Sequence, residues 1–194
     1  MDPPLSPGFT ESILELQGVL AACGELTGAV NAAGAMIVTA LQSGGTLFTC
    51  GNGGSAADAL HLTQELVGRF RTIRRPLRSV CLNADAATLT CIGNDCGYAE
   101  IFARQIRALG RPGDVLAGFT TSGNSPNMLA AFEAADRLGM HCILLSGFDG
   151  GAARELCRHR ILVPSRTVAR IQEIHTLVLH QWLEIIDSLT WPDQ

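Results

Sequence analysis

The sequence predicts an α/β fold: a doubly wound, five-stranded parallel sheet with helices on both faces and an extra helical segment at the N-terminus. Three observations predict it. Five short runs, each almost wholly apolar, recur along the chain; longer stretches with helical spacing separate them; and no internal repeat, low-complexity tract or linker interrupts the alternation. Strands that are apolar at nearly every residue are buried on both faces, the condition of a parallel sheet covered by crossover helices. At 194 residues the chain is one domain's worth of sequence (1–194), enough to bury a sizeable core.

The elements follow in order. After a Pro-rich lead at residues 2–7, the stretch from 10 to about 41 carries two apolar stripes, Ile13, Leu16, Leu20 and then Leu26, Val30, Ala33, interrupted near Gly24. It reads as one long helix or two consecutive ones. Residues 1–44 are extra to a minimal α/β domain and suit packing against a sister subunit. Strands are expected at 46–50, 79–82, 115–119, 142–145 and 161–163. Helices are expected at 55–68, 86–93, 98–109, 126–138, 151–157 and 167–190.

Composition narrows the chemistry. The 14 basic residues are all arginine and the formal net charge is −4, so no global cationic field recruits nucleic acid or an anionic membrane. Without lysine there is no Schiff base, no pyridoxal phosphate anchor and no P-loop lysine. The first basic residue is Arg69, which excludes the cationic n-region of a signal peptide, and no apolar run is expected to reach the length of a membrane span. Seven cysteines, odd in number and without a CxxC pair, read as reduced thiols of a cytoplasmic protein.

In a doubly wound sheet, ligands sit beyond the carboxyl ends of the strands, so the informative residues follow the strand candidates. The first strand runs into Gly51-Asn52-Gly53-Gly54-Ser55, and Ser55 to Asp58 reads as a capping pattern opening a helix. This loop is a tight turn or an anion site offering backbone N–H groups. It half-matches the dinucleotide fingerprint, but Asn83 stands where an acidic ribose anchor belongs, which disfavours a dinucleotide. The third strand feeds Thr120-Thr121-Ser122-Gly123-Asn124-Ser125-Pro126, with Ser125 as N-cap and Pro126 as the first helical residue. Four hydroxyls and a helix N-terminus suit a phosphate monoester. Ser and Thr are also ordinary loop residues; two such loops after two strands favour the anion site.

His61 and Glu65 stand at i and i+4 on the first βα helix, about 40° apart, able to share a metal ion or act together as acid and base. Most pairs at this spacing are solvated surface residues. The closing helix adds Gln172, Glu173, His175 and His180, among which spacing alone pairs Glu173 with His180. Five arginines in residues 69–78 read as a solvated loop or as partners of a nearby acidic surface. Arg69, at the end of the His61/Glu65 helix, is the one placed to meet a phosphate. Asn94 and Asp95 read as loop residues able to hydrogen-bond sugar hydroxyls or to cap the next helix.

At these residues the sequence resembles the bacterial phosphoheptose isomerases of the sugar isomerase (SIS) fold, a flavodoxin-like sheet. The resemblance covers nearly the whole chain and is densest at GNGGSAADALHLTQELVGRF, IGNDCGY, TTSGNSPN, DGG and ARIQEIHTLVLH. It implies an aldose–ketose isomerase that converts D-sedoheptulose 7-phosphate to D-glycero-D-manno-heptose 7-phosphate for activated heptose biosynthesis. It also implies one Zn²⁺ per subunit on His61, Glu65, Gln172 and His180, choosing Gln172 over Glu173. Asn52, Gly53, Gly54, Ser55, Asn94, Asp95 and Gln172 would contact the sugar phosphate; Thr120, Thr121, Ser122 and Ser125 would hold its phosphate; Glu65 and His180 would be the catalytic pair. The family forms homotetramers with active sites at subunit contacts. Two positions depart from its pattern: Ala169, where some members carry aspartate, and Thr120, where serine is usual. Other SIS proteins are non-catalytic binding modules, one of which binds a replication initiator, but they lose members of the His/Glu/Gln/His set. A third reading is an SIS isomerase for another phosphosugar.

Overall fold

The computed structural model describes residues 8–192, so the Pro-rich lead at 2–7 lies outside the described residues. Two helices, α1 (Phe9–Ala22) and α2 (Thr27–Gln42), flank a 3-10 turn at Cys23–Leu26, the break expected near Gly24. The alternation then runs β1 (Leu47–Gly51), α3 (Gly54–Val67), β2 (Ser79–Cys81), α4 (Ala86–Cys96), α5 (Ala103–Leu109), β3 (Val115–Phe119), α6 (Pro126–Arg137), β4 (His141–Gly147), β5 (His159–Val163) and α7 (Val168–Asp187). All neighbouring strands pair in parallel, in the order β2-β1-β3-β4-β5.

Strand alternation splits the core in two. Leu47, Val115, Ala117, Phe119, Ile143, Leu145, Ile161 and Val163 face α2, α3 and α7. Phe48, Cys50, Leu116, Cys142 and Leu144 face α5 and α6. Because α3 and α6 leave the adjacent strands β1 and β3 toward opposite faces, a crevice opens between their first turns, the topological switch point of this sheet. The fold thus brings the two anion-loop candidates together.

Two expected helices differ. Residues 98–109 split into a 3-10 turn, Tyr98–Glu100, and the short α5, after Gly97 enters the turn at a φ of 87°. Residues 151–157 form a 3-10 turn, Ala152–Leu156, instead of an α-helix. Gly150 and Gly151 both take positive φ, and the Ala153 N–H donates to the Gly123 carbonyl at 2.9 Å, so this segment spends its donor on a neighbouring loop.

The N-terminal segment also corrects an expectation. Taken as one run, Phe9–Gln42 is long and apolar enough by composition to cross a membrane. In α2 that composition has a cause within the fold: Val30, Ala33, Ile37, Ala40 and Leu41 are buried, and the indole of the fully buried Trp182 donates to the Val30 carbonyl at 2.9 Å. Its neighbour α1 buries only Val19 and leaves Phe9, Ile13, Leu14 and Leu20 in the open.

Both readings of the arginine-rich stretch hold in part: much of it is exposed, while Arg71 and Arg74 pair with Glu184 and Asp187. Arg74 bonds Asp187 at 3.0 Å, both side chains nearly buried, and donates to the Glu65 and Leu66 carbonyls that end α3. Asp187 also accepts the Arg71 and Thr72 N–H groups at 2.9 Å. Burial alone would raise the Asp187 pKa; the Thr72 and Arg71 N–H groups and the Arg74 guanidinium outweigh it and hold it below its ordinary value. This anchor locks the end of α3 to the end of α7, which sets the register of the side chains between them.

Candidate active site

The crevice is built from its loops. At the end of β1, both peptide groups of Gly51 are held by one amide: its N–H donates to Asn83 Oδ1 at 3.1 Å and its carbonyl accepts from Asn83 Nδ2 at 2.9 Å. Asn83, which spoils the dinucleotide pattern, therefore closes the β1 turn. The helix begins earlier than the Ser55 capping pattern predicts: Gly53 is the N-cap, at a φ of 57°, and α3 starts at Gly54. Asp58 does not cap that helix; its carboxylate turns to Thr176 Oγ1 at 2.9 Å. A Cβ at Gly54 would stand 2.5 Å from the Gln172 side-chain amide, so a larger residue there would push that amide aside.

Asn52 reaches across the crevice. Its amide exchanges two hydrogen bonds with Asn127, at 3.0 and 2.8 Å, and its Oδ1 also accepts from the Tyr98 hydroxyl at 3.1 Å. Asn127 is buried in the first turn of α6, so this pair fastens the β1 loop to the β3 loop. In the β3 loop, Gly123 has a φ of 66°, and a Cβ there would stand 1.9 Å from the Gly150 carbonyl. The Gly123 N–H donates to Thr120 Oγ1, and Gly147 donates to the Thr121 carbonyl at 3.1 Å. Ser125 is the N-cap and Pro126 the first helical residue, as expected, yet the Ser125 hydroxyl makes no cap bond. Thr120 is buried and Ser122 exposed.

Helices α3 and α7 run side by side in parallel, because each leaves the carboxyl end of its strand on the same face of the sheet. Gln172 lies against Gly54, Thr176 bonds Asp58, and His180 meets His61, a nearly constant offset along the seam. The His61 and His180 rings stand edge to face with centroids 4.9 Å apart, and His61 Nε2 lies 3.6 Å from Glu65 Oε1. Phe70 stacks on the other side of His180 at 5.7 Å. Glu65 Oε1 accepts from the Gln64 amide at 2.7 Å. Burial raises the pKa of Asp58, against the pull of Thr176 and His61.

Two imidazoles, a carboxylate and an amide oxygen are a donor set that suits zinc. Three of the four are neighbours on this seam; Gln172 is eight residues from His180, about 12 Å along α7. Among the described residues, no three His, Cys, Asp or Glu side chains are gathered closely enough to hold a metal ion as they stand. Glu173, the companion that spacing preferred for His180, is instead exposed and paired with Arg170 at 2.9 Å.

Other expectations are corrected. Arg69 is exposed beyond the far end of α3, about 20 Å from the phosphate loop of its own chain, since a helix rises 1.5 Å per residue. It does not reach that loop. Asn94 and Asp95 lie within the last turn of α4, exposed and bonded to each other at 2.7 Å, neither in a loop nor capping the next element. Extending the helix to Cys96 put them there.

The sequence profile of the SIS domain family matches residues 11–147. The chain belongs to the SIS domain family. Phosphoheptose isomerases are among its similar proteins: that of Alteromonas mediterranea is 46% identical over 191 residues, covering 97% of this chain and 95% of its own. The Campylobacter jejuni protein of the same name is 48% identical over 163 residues, 84% of this chain and 88% of the relative. The solved phosphoheptose isomerase of Francisella tularensis superposes with a TM-score of 0.90 at 36% identity, over 93% of this chain and 96% of that one.

Sequence reasoning passed over two structural residues of this SIS domain and gave no role to a third, His175. Asn127 and Tyr98, which hold Asn52, sit inside the quoted motifs TTSGNSPN and IGNDCGY, but nothing in their spacing says that they converge. His175 is fully buried beneath the crevice, its ring 6.0 Å from that of Phe119, with neither ring nitrogen in a hydrogen bond. Its place in RIQEIH was the only signal.

Proposed function

We propose that this chain is an isomerase of the kind its relatives are named for, interconverting D-sedoheptulose 7-phosphate and D-glycero-D-manno-heptose 7-phosphate in heptose biosynthesis. The observation that carries this reading is the meeting of His61, Glu65 and His180 on the α3–α7 seam, in a chain so close to phosphoheptose isomerases over nearly its whole length. Ketose–aldose conversion moves a proton between C1 and C2 through an enediol, and needs a base, an acid and a stabilised oxyanion. Glu65 takes the proton from carbon and His180 exchanges one with the oxygens. The hydroxyls of Thr120, Thr121, Ser122 and Ser125, with the N-terminus of α6, bind the phosphate, while Asn52, Gly53, Gly54, Ser55, Asn94, Asp95 and Gln172 bind the sugar. His61, Glu65, Gln172 and His180 would hold Zn²⁺, which when bound supplies Lewis acidity at the carbonyl oxygen.

The protein acts as a cytoplasmic homotetramer in this reading. The open apolar side chains of α1, the exposed Arg69 and the distance of Gln172 from His180 favour a site completed by a second copy of the chain. Light scattering is expected to give four copies, and a chain lacking residues 1–40 is expected to aggregate; a soluble, active truncation would count against that role of α1.

The functional reading is tested by exchange of solvent deuterium into the sugar at C1 or C2, with metal content measured in parallel and shorter ketose phosphates as comparison. Exchange and turnover are expected with sedoheptulose 7-phosphate and to fall when zinc is removed. A zinc-loaded tetramer that shows neither with any ketose phosphate refutes the enzyme and leaves a binding module.

A further inference from the structure

The carboxyl ends of β3, β4 and β5 open on a cleft of about 290 Å³ that borders the phosphate loop. Thr121, Ser122, Phe148, Ser165 and Arg166 are among the residues that line it. Its single cation is Arg166, whose guanidinium carbon lies 3.5 Å from the centroid of the Phe148 ring. Among the described residues no carboxylate lies within salt-bridge range of Arg166. Asp149, the only acid in the cleft, accepts the Gly151 N–H at 3.0 Å and so serves its own turn. Stacking on the ring face leaves the edge of the guanidinium, where its N–H donors point, open to a ligand.

Phe148 itself is held out of the ordinary. It is the only non-glycine residue with positive φ among the described residues, at 42°, a conformation that is costly for a bulky side chain. Its N–H is tied to the Val163 carbonyl at 2.8 Å, and the residue is 49% exposed, so core burial does not explain the strain. What the ring does in this position is carry Arg166.

We propose that Arg166, presented by Phe148, is the cationic clamp for the substrate's phosphate, and that it selects a phosphomonoester dianion over a neutral sugar. This rests on the functional reading above and extends it. Within one chain, the phosphate loop Thr120–Ser125 holds no charged side chain, there is no lysine, and Arg69 stands about 20 Å away, so that only a second copy's Arg69 could join Arg166 there. A dianion held by hydroxyls and backbone N–H groups gains most from a guanidinium, which bonds two of its oxygens at once.

Steady-state kinetics on the zinc-loaded protein test the assignment, with inorganic phosphate as competitive inhibitor. Arg166→Gln is expected to raise the KM for the phosphorylated ketose and the Ki for phosphate each by about tenfold, with kcat little changed. Arg166→Lys should fall between, because it keeps the charge but loses the planar fork and the stack. Phe148→Gly is expected to weaken phosphate binding while raising thermal stability, since glycine relieves the positive φ; a merely structural phenylalanine would lose stability instead. Unchanged KM and Ki in Arg166→Gln overturn the proposal, as does a fall in kcat with KM constant. Should the wild-type protein isomerise nothing, the functional reading fails, and calorimetric titration with inorganic phosphate still decides the clamp. A tenfold loss in Arg166→Gln supports it; equal affinities, or no binding by the wild type, overturn it.

Discussion

Replacing Glu65 with glutamine is expected to lower isomerisation by at least about 10²-fold, because the amide keeps the size of the side chain but cannot accept the proton from carbon. Substrate should still bind, as the phosphate loop lies at the opposite end of α3. The environment of Glu65 supports so large an effect: it is half-buried, 3.6 Å from His61, with the Gln64 amide on the same oxygen. His180→Gln should fall by a similar factor and also lose metal, since an amide is a poorer zinc ligand than imidazole. The double variant should be little worse than either single one, because groups that act as one proton-transfer unit are strongly non-additive. Steady-state assays and deuterium exchange read the loss, with zinc content measured for each variant. Nearly wild-type exchange in Glu65→Gln would move the base elsewhere.

The second large effect concerns His175 and stability. Burial lowers its pKa from 6.5 to about 4, outweighing the Ser146 backbone, which acts to raise it; the ring of Phe119 stands edge to face with it. The folded protein therefore keeps the imidazole neutral where the unfolded chain would protonate it. The sign follows: this contribution is complete above pH 6.5, and it is lost as pH falls from 6.5 toward 4. The whole shift is worth about 3 kcal/mol. His175→Gln cannot titrate, so its stability relative to wild type should improve by about that amount between pH 7 and pH 4, whatever its stability at neutral pH. Denaturant unfolding at several pH values measures the difference, which cancels the carboxylates common to both proteins. A difference that stays constant with pH would mean that water or a neighbour satisfies the imidazolium in the fold.

Much of this architecture was legible in the residues. Each of the five strands falls within two residues or so of its apolar run; burial on both faces demands apolar residues along β1, β3 and most of β4, while the edge strands β2 and β5 are partly exposed. The break at Gly24 was visible, and so were the two polar loops, because the parallel topology sends every strand into a helix at the ligand-binding edge. Helix ends were less legible. Gly53 caps α3 ahead of Ser55, and Asn94 and Asp95 stay helical to Cys96, because glycine conformation and packing decide those ends more than capping patterns do.

The site divides along the same line. Local spacing put His61 and Glu65 on one helical face, since helix geometry acts over four residues and needs nothing beyond them. Which residue of α7 meets them depended on the seam between two helices more than 100 residues apart, where Gly54 admits Gln172, Thr176 bonds Asp58, and the Arg74–Asp187 anchor fixes the far end. The same is true of the Asn52–Asn127 pair across the crevice and of Arg166 on its strained phenylalanine. The sequence by itself determined the α/β class, the order of its elements and the residue types able to do the chemistry, because those depend on periodicity and composition. Only the tertiary structure decided which of those residues face one another, because side-chain contacts across the sheet edge are set by long-range packing, which no local pattern encodes.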